Sequence, residues 1–213
     1  MSFDGIIFDL DGTLWDSREG ITAGWNDTMK NQYGIDTDFT VEDITSIMGL
    51  TERGVADKLF TQYGDARYEL CKSCLTGEVA YLRGHGARIY DGVETMLADL
   101  SAHTSLYLVS NCQADYMRAF FEISGFARYF ADCLCEGDTG LKKADNIKLL
   151  AARHGLKNTV YVGDTALDEK SAREANCAFV HAEYGFGTVE NPDGRIDAPG
   201  KLAALIARME EET

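Results

Sequence analysis

Apolar positions divide the chain into three textures. The first is a short run, Ile6-Ile7-Phe8, that ends in Asp9 and Asp11 and then in Gly12-Thr13. A run of this length closing on a glycine-containing break predicts a buried strand of the kind found in the middle of a parallel sheet. From residue 15 to 84 the spacing becomes helical: Ile21, Trp25, Thr28 and Met29, then Ile44, Ile47 and Met48, then Val55, Leu59, Phe60 and Tyr63, then Leu70, Cys74, Val79 and Leu82. That block predicts four to five helices and no strand. Gly34, Gly49, Gly64 and Gly77 stand where such helices would end or turn.

The third texture begins after Gly84-His85-Gly86, where Tyr90-Asp91-Gly92-Val93 opens a helix through Met96, Leu97 and Leu100. Short apolar strands are predicted at 106–109, more weakly at 131–134, then at 160–162 and 178–180. Helices are predicted between them at 113–124, 143–154 and 165–175, with a last one near 200–210. Strands alternating with helices imply an α/β fold with a Rossmann-like, doubly wound parallel sheet, here of five strands. The helical block is far too long for one crossover. The expected organisation is therefore a core made of residues 1–14 and 88–213, with an all-helical domain, residues 15–87, inserted into it. No internal repeat is visible, and the only prolines are Pro192 and Pro199.

With 213 residues, 45% of them hydrophobic, the chain can bury a sizeable core. A formal charge of -15 argues against a nucleic-acid partner and suits a protein that holds a divalent cation. No apolar run reaches membrane-spanning length and the N-terminus lacks a signal-peptide layout, so no membrane partner and a cytoplasmic location are expected. Cys71 and Cys74 form a CxxC, but Cys133 and Cys135 have the wrong spacing for a second zinc knuckle, which leaves thiols as the reading. His85, His103, His154 and His181 are scattered and none is assigned catalysis. Trp15 and Trp25 read as packing, and Glu210-Glu211-Glu212 as a solvated tail.

Open parallel sheets bind ligands beyond the carboxyl ends of their strands. Those ends carry Asp9 and Asp11, then Ser110-Asn111, then Gly163-Asp164-Thr165 with Asp168 one turn further, while Lys142 and Lys143 open a helix after Asp138-Thr139-Gly140. This set suits phosphoryl transfer through an aspartyl-phosphate. A carboxylate can attack phosphorus, but its charge repels a phosphate unless a divalent cation bridges the two. Asp9 and Asp164 can hold Mg²⁺, which takes oxygen ligands and few protein carboxylates. Ser110, backbone N–H groups and a lysine can bind the phosphoryl oxygens, and Asp11 can move the proton.

Those residues resemble the motifs of the haloacid dehalogenase superfamily, and in particular its phosphoglycolate-phosphatase-like members with an inserted helical cap. Residues 9–13 match the first motif in full. The resemblance implies Asp9 as nucleophile, Asp11 as acid/base with its backbone carbonyl on the metal, and Thr13 as a phosphate-site residue that positions the Asp11 side chain. Ser110-Asn111 matches the second motif. Residues 163–168 match the fourth, implying Asp164 on the metal and Asp168 in or just behind its shell. The third motif departs from the common Lys-Pro, since the chain has Lys142-Lys143-Ala144-Asp145; the run Lys143-Ala144-Asp145-Asn146-Ile147 resembles that of other relatives and favours Lys143 over Lys142 as the phosphate-binding lysine. Tyr184-Gly185-Phe186-Gly187 resembles the tail segment of the subgroup. Arg53, in the cap, could reach a substrate carboxylate, against the plainer reading of a solvated helix arginine.

The function implied is Mg²⁺-dependent hydrolysis of a small phosphomonoester, phosphoglycolate-like or a sugar phosphate, by a monomer or homodimer. A sugar-phosphate mutase of the β-phosphoglucomutase kind and a pyrophosphatase share the same core. A phospho-accepting signalling domain would need an acceptor at the end of the third strand, where Cys133-Leu134-Cys135 offers none.

Overall fold

The strand β1 (Gly5–Phe8) lies inside the sheet in the computed structural model, which describes residues 2–211. All four of its residues are buried. The chain leaves it through β2 (Trp15–Asp16), runs through α1 (Arg18–Tyr33), α2 (Val41–Ile47), α3 (Glu52–Leu59), a 3₁₀ stretch at Thr61–Ala66 and α4 (Arg67–His85), and returns through β3 (Arg88–Ile89). β2 and β3 pair antiparallel, with Trp15 opposite Ile89, so the start and end of the helical block are tied side by side.

The remainder follows as α5 (Val93–Ser101), β4 (Leu106–Ser110), α6 (Ala114–Ser124), β5 (Phe130–Cys135), α7 (Glu136–Thr139), α8 (Lys143–His154), β6 (Thr159–Gly163), α9 (Ala166–Glu174), β7 (Ala178–Ala182), β8 (Gly194–Ile196) and α10 (Leu202–Glu211). Six strands form one sheet in the order β5-β4-β1-β6-β7-β8, and every pair is parallel. Phe8 stands opposite Leu108 of β4 and Val162 of β6. The residues just past that register therefore meet at one rim, at the point where the winding reverses between β4 and β6.

Both sheet faces are covered, which is why the strands read as unbroken apolar runs. Ile6 and Phe8 face one core with Trp15, Leu97 and Phe120, while Ile7 faces a second with Tyr107, Tyr161 and Phe179. Burying a side chain such as Phe8 contributes about 1.5–3 kcal/mol.

Three expectations need correction. The block from residue 15 to 84 is not free of strand, because it opens with β2, whose two residues are too few to show a period and which forms only by pairing with β3. A sixth strand, β8, joins the sheet edge beyond the five predicted; it is only three residues long, contains Gly194 and the exposed Arg195, and so has no apolar run to announce it. Gly77 does not end a helix but sits inside α4, where a Cβ would lie 1.8 Å from Thr28 Oγ1 of α1. Close approach of the two helices, not a turn, demands glycine there. Gly34, by contrast, caps α1 in the left-handed conformation with φ 66°.

The acidic end is helical as far as Glu211, and Glu210 accepts a hydrogen bond from Phe3 N at 2.8 Å instead of trailing into solvent; Glu212 lies outside the described residues. Among the described residues no helix is long and apolar enough to cross a membrane. All six cysteines are unpaired, and burial pushes the Cys71 and Cys74 thiols up to about 12.

Candidate active site

Asp9 follows β1 directly and its N–H continues the ladder to Val162 O at 2.8 Å. The chain then turns sharply, with Leu14 N returning to Leu10 O at 2.9 Å. Gly12 makes the turn possible twice over: its φ is +79°, and a Cβ there would lie 2.1 Å from Asp164 Oδ2.

Lys143, the first residue of α8, is buried and inserts its ammonium between two carboxylates, 2.8 Å from Asp9 Oδ1 and 2.6 Å from Asp168 Oδ1. The preceding Lys142 is exposed. Asp168 is fixed by a capping box at the start of α9, its Oδ2 accepting from Thr165 N at 3.0 Å and from Thr165 Oγ1 at 2.6 Å. Asp164 directly follows β6; its Oδ2 accepts from Phe186 N at 2.7 Å, while its Oδ1 is buried without a hydrogen-bond partner. Oxygens of Asp9, Asp164 and Asp168 all lie within 4.8 Å of one another.

Three buried carboxylates around one lysine are not neutral. Burial, reinforced by Asp168 and opposed by Lys143, pushes the Asp9 carboxyl up to about 7. Burial and then Asp168 and Asp9 raise Asp164 well above the carboxylate range. Burial works against the charge of Lys143, but Asp168 and Asp9 outweigh it and hold the ammonium protonated. The surplus negative charge, the all-oxygen donor set and the unpartnered Asp164 Oδ1 together fit a hard divalent cation. Asp9 and Asp164 would hold it. Asp168 has both oxygens engaged by Lys143 and Thr165, which fits a supporting position behind them.

Asp11 points away from that cluster. Its Oδ1 accepts from Tyr116 Oη at 2.6 Å, Ser17 Oγ at 2.7 Å and Trp15 Nε1 at 2.9 Å. Burial raises its pKa, and the three donors oppose the rise. The expected partner, Thr13, does not make this contact: its Oγ1 is buried and has no hydrogen-bond partner. Of the donors, Trp15 and Ser17 stand close in sequence but share no motif, and Tyr116 comes from α6 with nothing in its spacing to mark it.

Ser110 is buried at the end of β4, its Oγ accepting from Cys112 N at 3.3 Å. Asn111 donates through Nδ2 to Gly49 O at 2.8 Å in the helical block, and its Oδ1 is buried without a partner. The tail segment reaches the site as well: Tyr184 Oη donates to Thr13 O at 2.9 Å, and a Cβ on Gly185 would lie 2.3 Å from Asp164 Cβ. Arg53 is not brought in. Its side chain is 82% exposed and pairs with Asp57 at 3.7 Å, because the helix turns that face outward.

The family model described as haloacid dehalogenase-like hydrolase matches residues 6–182. A phosphoglycolate phosphatase of Photobacterium profundum is 30% identical over 96% of this chain and 97% of its own length. One from Aquifex aeolicus is 27% identical over 94% of this chain and 95% of its own. Among solved structures, a haloacid dehalogenase-like family hydrolase from Streptococcus pneumoniae superposes with a TM-score of 0.81 at 24% identity, covering 95% of this chain and 97% of that one.

Proposed function

We propose that this chain, which belongs to the haloacid dehalogenase-like hydrolase family, hydrolyses small phosphomonoesters through an aspartyl-phosphate on Asp9. The observation that carries the reading is the pairing of Asp9 with Lys143 at 2.8 Å beside Asp164, with Asp11 held two residues on by its own separate set of donors. The two relatives named as phosphoglycolate phosphatases support it.

Lys143 and Ser110 would grip the phosphoryl oxygens and set phosphorus against a carboxylate oxygen of Asp9. Mg²⁺ held by Asp9 and Asp164 would supply the positive charge that offsets repulsion between carboxylate and phosphate. The Asp9 oxygen bonds to phosphorus as the bond to the alcohol oxygen breaks, and Asp11 gives that oxygen its proton. Asp11, now a carboxylate, takes a proton from water, whose oxygen attacks phosphorus. The bond to Asp9 then breaks, phosphate leaves, and both aspartates return to their starting state. Burial raises the Asp11 carboxyl and so favours the protonated form that can give the proton.

The helices between β2 and β3 would serve as a lid that excludes water and selects the alcohol. Supporting this, Asn111 binds Gly49 O, Gln113 Nε2 donates to Glu52 Oε2 at 3.1 Å, and Arg83 of α4 pairs with Asp115 at 2.8 Å and Glu122 at 2.7 Å of α6.

Phosphate release from an aryl phosphate, with and without Mg²⁺, tests the reading. Activity is expected only with the metal and is expected to vanish in Asp9→Asn. Transfer of the phosphoryl group back to a sugar instead of to water would overturn hydrolysis in favour of a mutase.

A further inference from the structure

Asp11 and Ser110 help to line a partly open pocket of about 70 Å³ between the helical block and the sheet rim. Its walls are aliphatic side chains from all four helices of the block, including Ile21, Ile47, Val55 and Leu75, together with the rings of Trp25 and Tyr116. Into this apolar space α4 sets one buried carboxylate, Glu78, which accepts a hydrogen bond from Trp25 Nε1. Glu52 is a second carboxylate in the lining. Among the described residues that line the cavity there is no lysine, arginine or histidine.

The arginines of the helical block are engaged elsewhere. Arg18 holds Asp16 through Nε at 2.8 Å and Nη2 at 2.7 Å and stacks on Phe186, and Arg53 is turned to solvent beside Asp57. Neither lines the cavity.

A space that adjoins the candidate proton donor and the phosphate-binding serine is where the alcohol part of a phosphomonoester would lie. We propose that this alcohol carries an ammonium group, so that the substrates are phosphomonoesters of small amino alcohols and not phosphorylated carboxylic acids. The proposal rests on the hydrolase reading of the Asp9 site. An ammonium would meet what such groups are recognised by: a desolvated carboxylate and two aromatic walls. A carboxylate tail would instead be buried against Asp11, Glu52 and Glu78 with no countercharge. The volume admits a small tail, since about 10–15 Å³ of such space holds one water.

The test is phosphate release in Mg²⁺ from four esters: aminoethyl phosphate, its neutral analogue hydroxyethyl phosphate, phosphoglycolate and p-nitrophenyl phosphate. The wild type is expected to show kcat/KM for the amine at least roughly tenfold above the neutral ester and on the order of a hundredfold above phosphoglycolate. In Glu78→Gln the ratio of amine to neutral ester is expected to fall towards one. Should that variant not fold, as judged by circular dichroism, the wild-type ranking decides alone. Phosphoglycolate or the neutral ester matching the amine overturns the proposal, as does an unchanged ratio in the folded variant. In those outcomes turnover of p-nitrophenyl phosphate leaves the hydrolase reading standing. No release from any of the four esters sinks both.

Discussion

Tyr116 donates a 2.6 Å hydrogen bond to Asp11 across 105 residues of sequence, joining α6 to the turn after β1. The same hydroxyl lies 2.7 Å from Ser17 Oγ, which itself donates to Asp11. The candidate acid/base is thus aimed by groups from α6 and from the segment around β2.

Removing that hydroxyl in Tyr116→Phe is expected to lower kcat for p-nitrophenyl phosphate by ten- to a hundredfold, since a hydrogen bond to a charged group contributes about 1.5–3 kcal/mol. Ser17→Ala is expected to act in the same direction, and the double variant to lose less than the product of the two, because both donors orient one oxygen. Steady-state kinetics on the three proteins decide it. An unchanged kcat in Tyr116→Phe would show that Asp11 does not depend on this bond.

Mg²⁺ should stabilise the fold as well as activate it, because it offsets the surplus charge of Asp9, Asp164 and Asp168. At a hundred times Kd the linkage amounts to about 2.7 kcal/mol, or roughly 5–10 °C in Tm for a chain of this size. Differential scanning calorimetry with and without the ion measures it. Asp164→Asn is expected to remove most of the shift, and a full shift in that variant would place the ion elsewhere.

Glu78 makes stability depend on pH. Its carboxyl ionises at 4.5 in the unfolded chain but well above that in the fold, chiefly because of burial and against the Trp25 hydrogen bond. Between those two pKa values the folded chain holds a proton the unfolded chain has lost, so the stability present below 4.5 is lost as pH rises towards the folded value. Glu78→Gln does not titrate. Its stability relative to wild type is expected to grow with pH above 4.5, by up to about 1.4 kcal/mol per pH unit, in urea melts at a series of pH values. A flat difference would refute it.

Gly77→Ala is expected to destabilise the helical block by about 1–3 kcal/mol, because the new methyl group meets Thr28 Oγ1 at 1.8 Å across α1 and α4. Adding Thr28→Ala should recover part of the loss. Thermal melts of the single and double variants give the coupling, and additive losses would mean the two positions do not meet.

Much of this was legible in the chain. Ile6-Ile7-Phe8 read as a short buried strand, and strand propensity together with helical spacing located β4, β6, β7, α6, α8 and α9 closely, because hydrophobic periodicity is a local property. That Asp9, Asp11, Ser110, Asp164 and Asp168 would come together was legible for a related reason: each stands at a strand end or helix start, and a parallel sheet gathers such ends at one rim. The edge strand β8 and the packing role of Gly77 were not, since one is too short to show a period and the other depends on what lies across the helix interface.

What only the tertiary structure decided is which side chains meet. It set Lys143, and not Lys142, between Asp9 and Asp168. It gave Asp11 to Tyr116, Ser17 and Trp15 while leaving Thr13 Oγ1 unpartnered, turned Arg53 outward, and buried Glu78 in the lining of a pocket that has no lysine, arginine or histidine. The physical reason is that periodicity fixes the face on which a residue lies, whereas a hydrogen bond or an ion pair depends on distances of a few ångströms between elements far apart in sequence, and these exist only once the helices have packed.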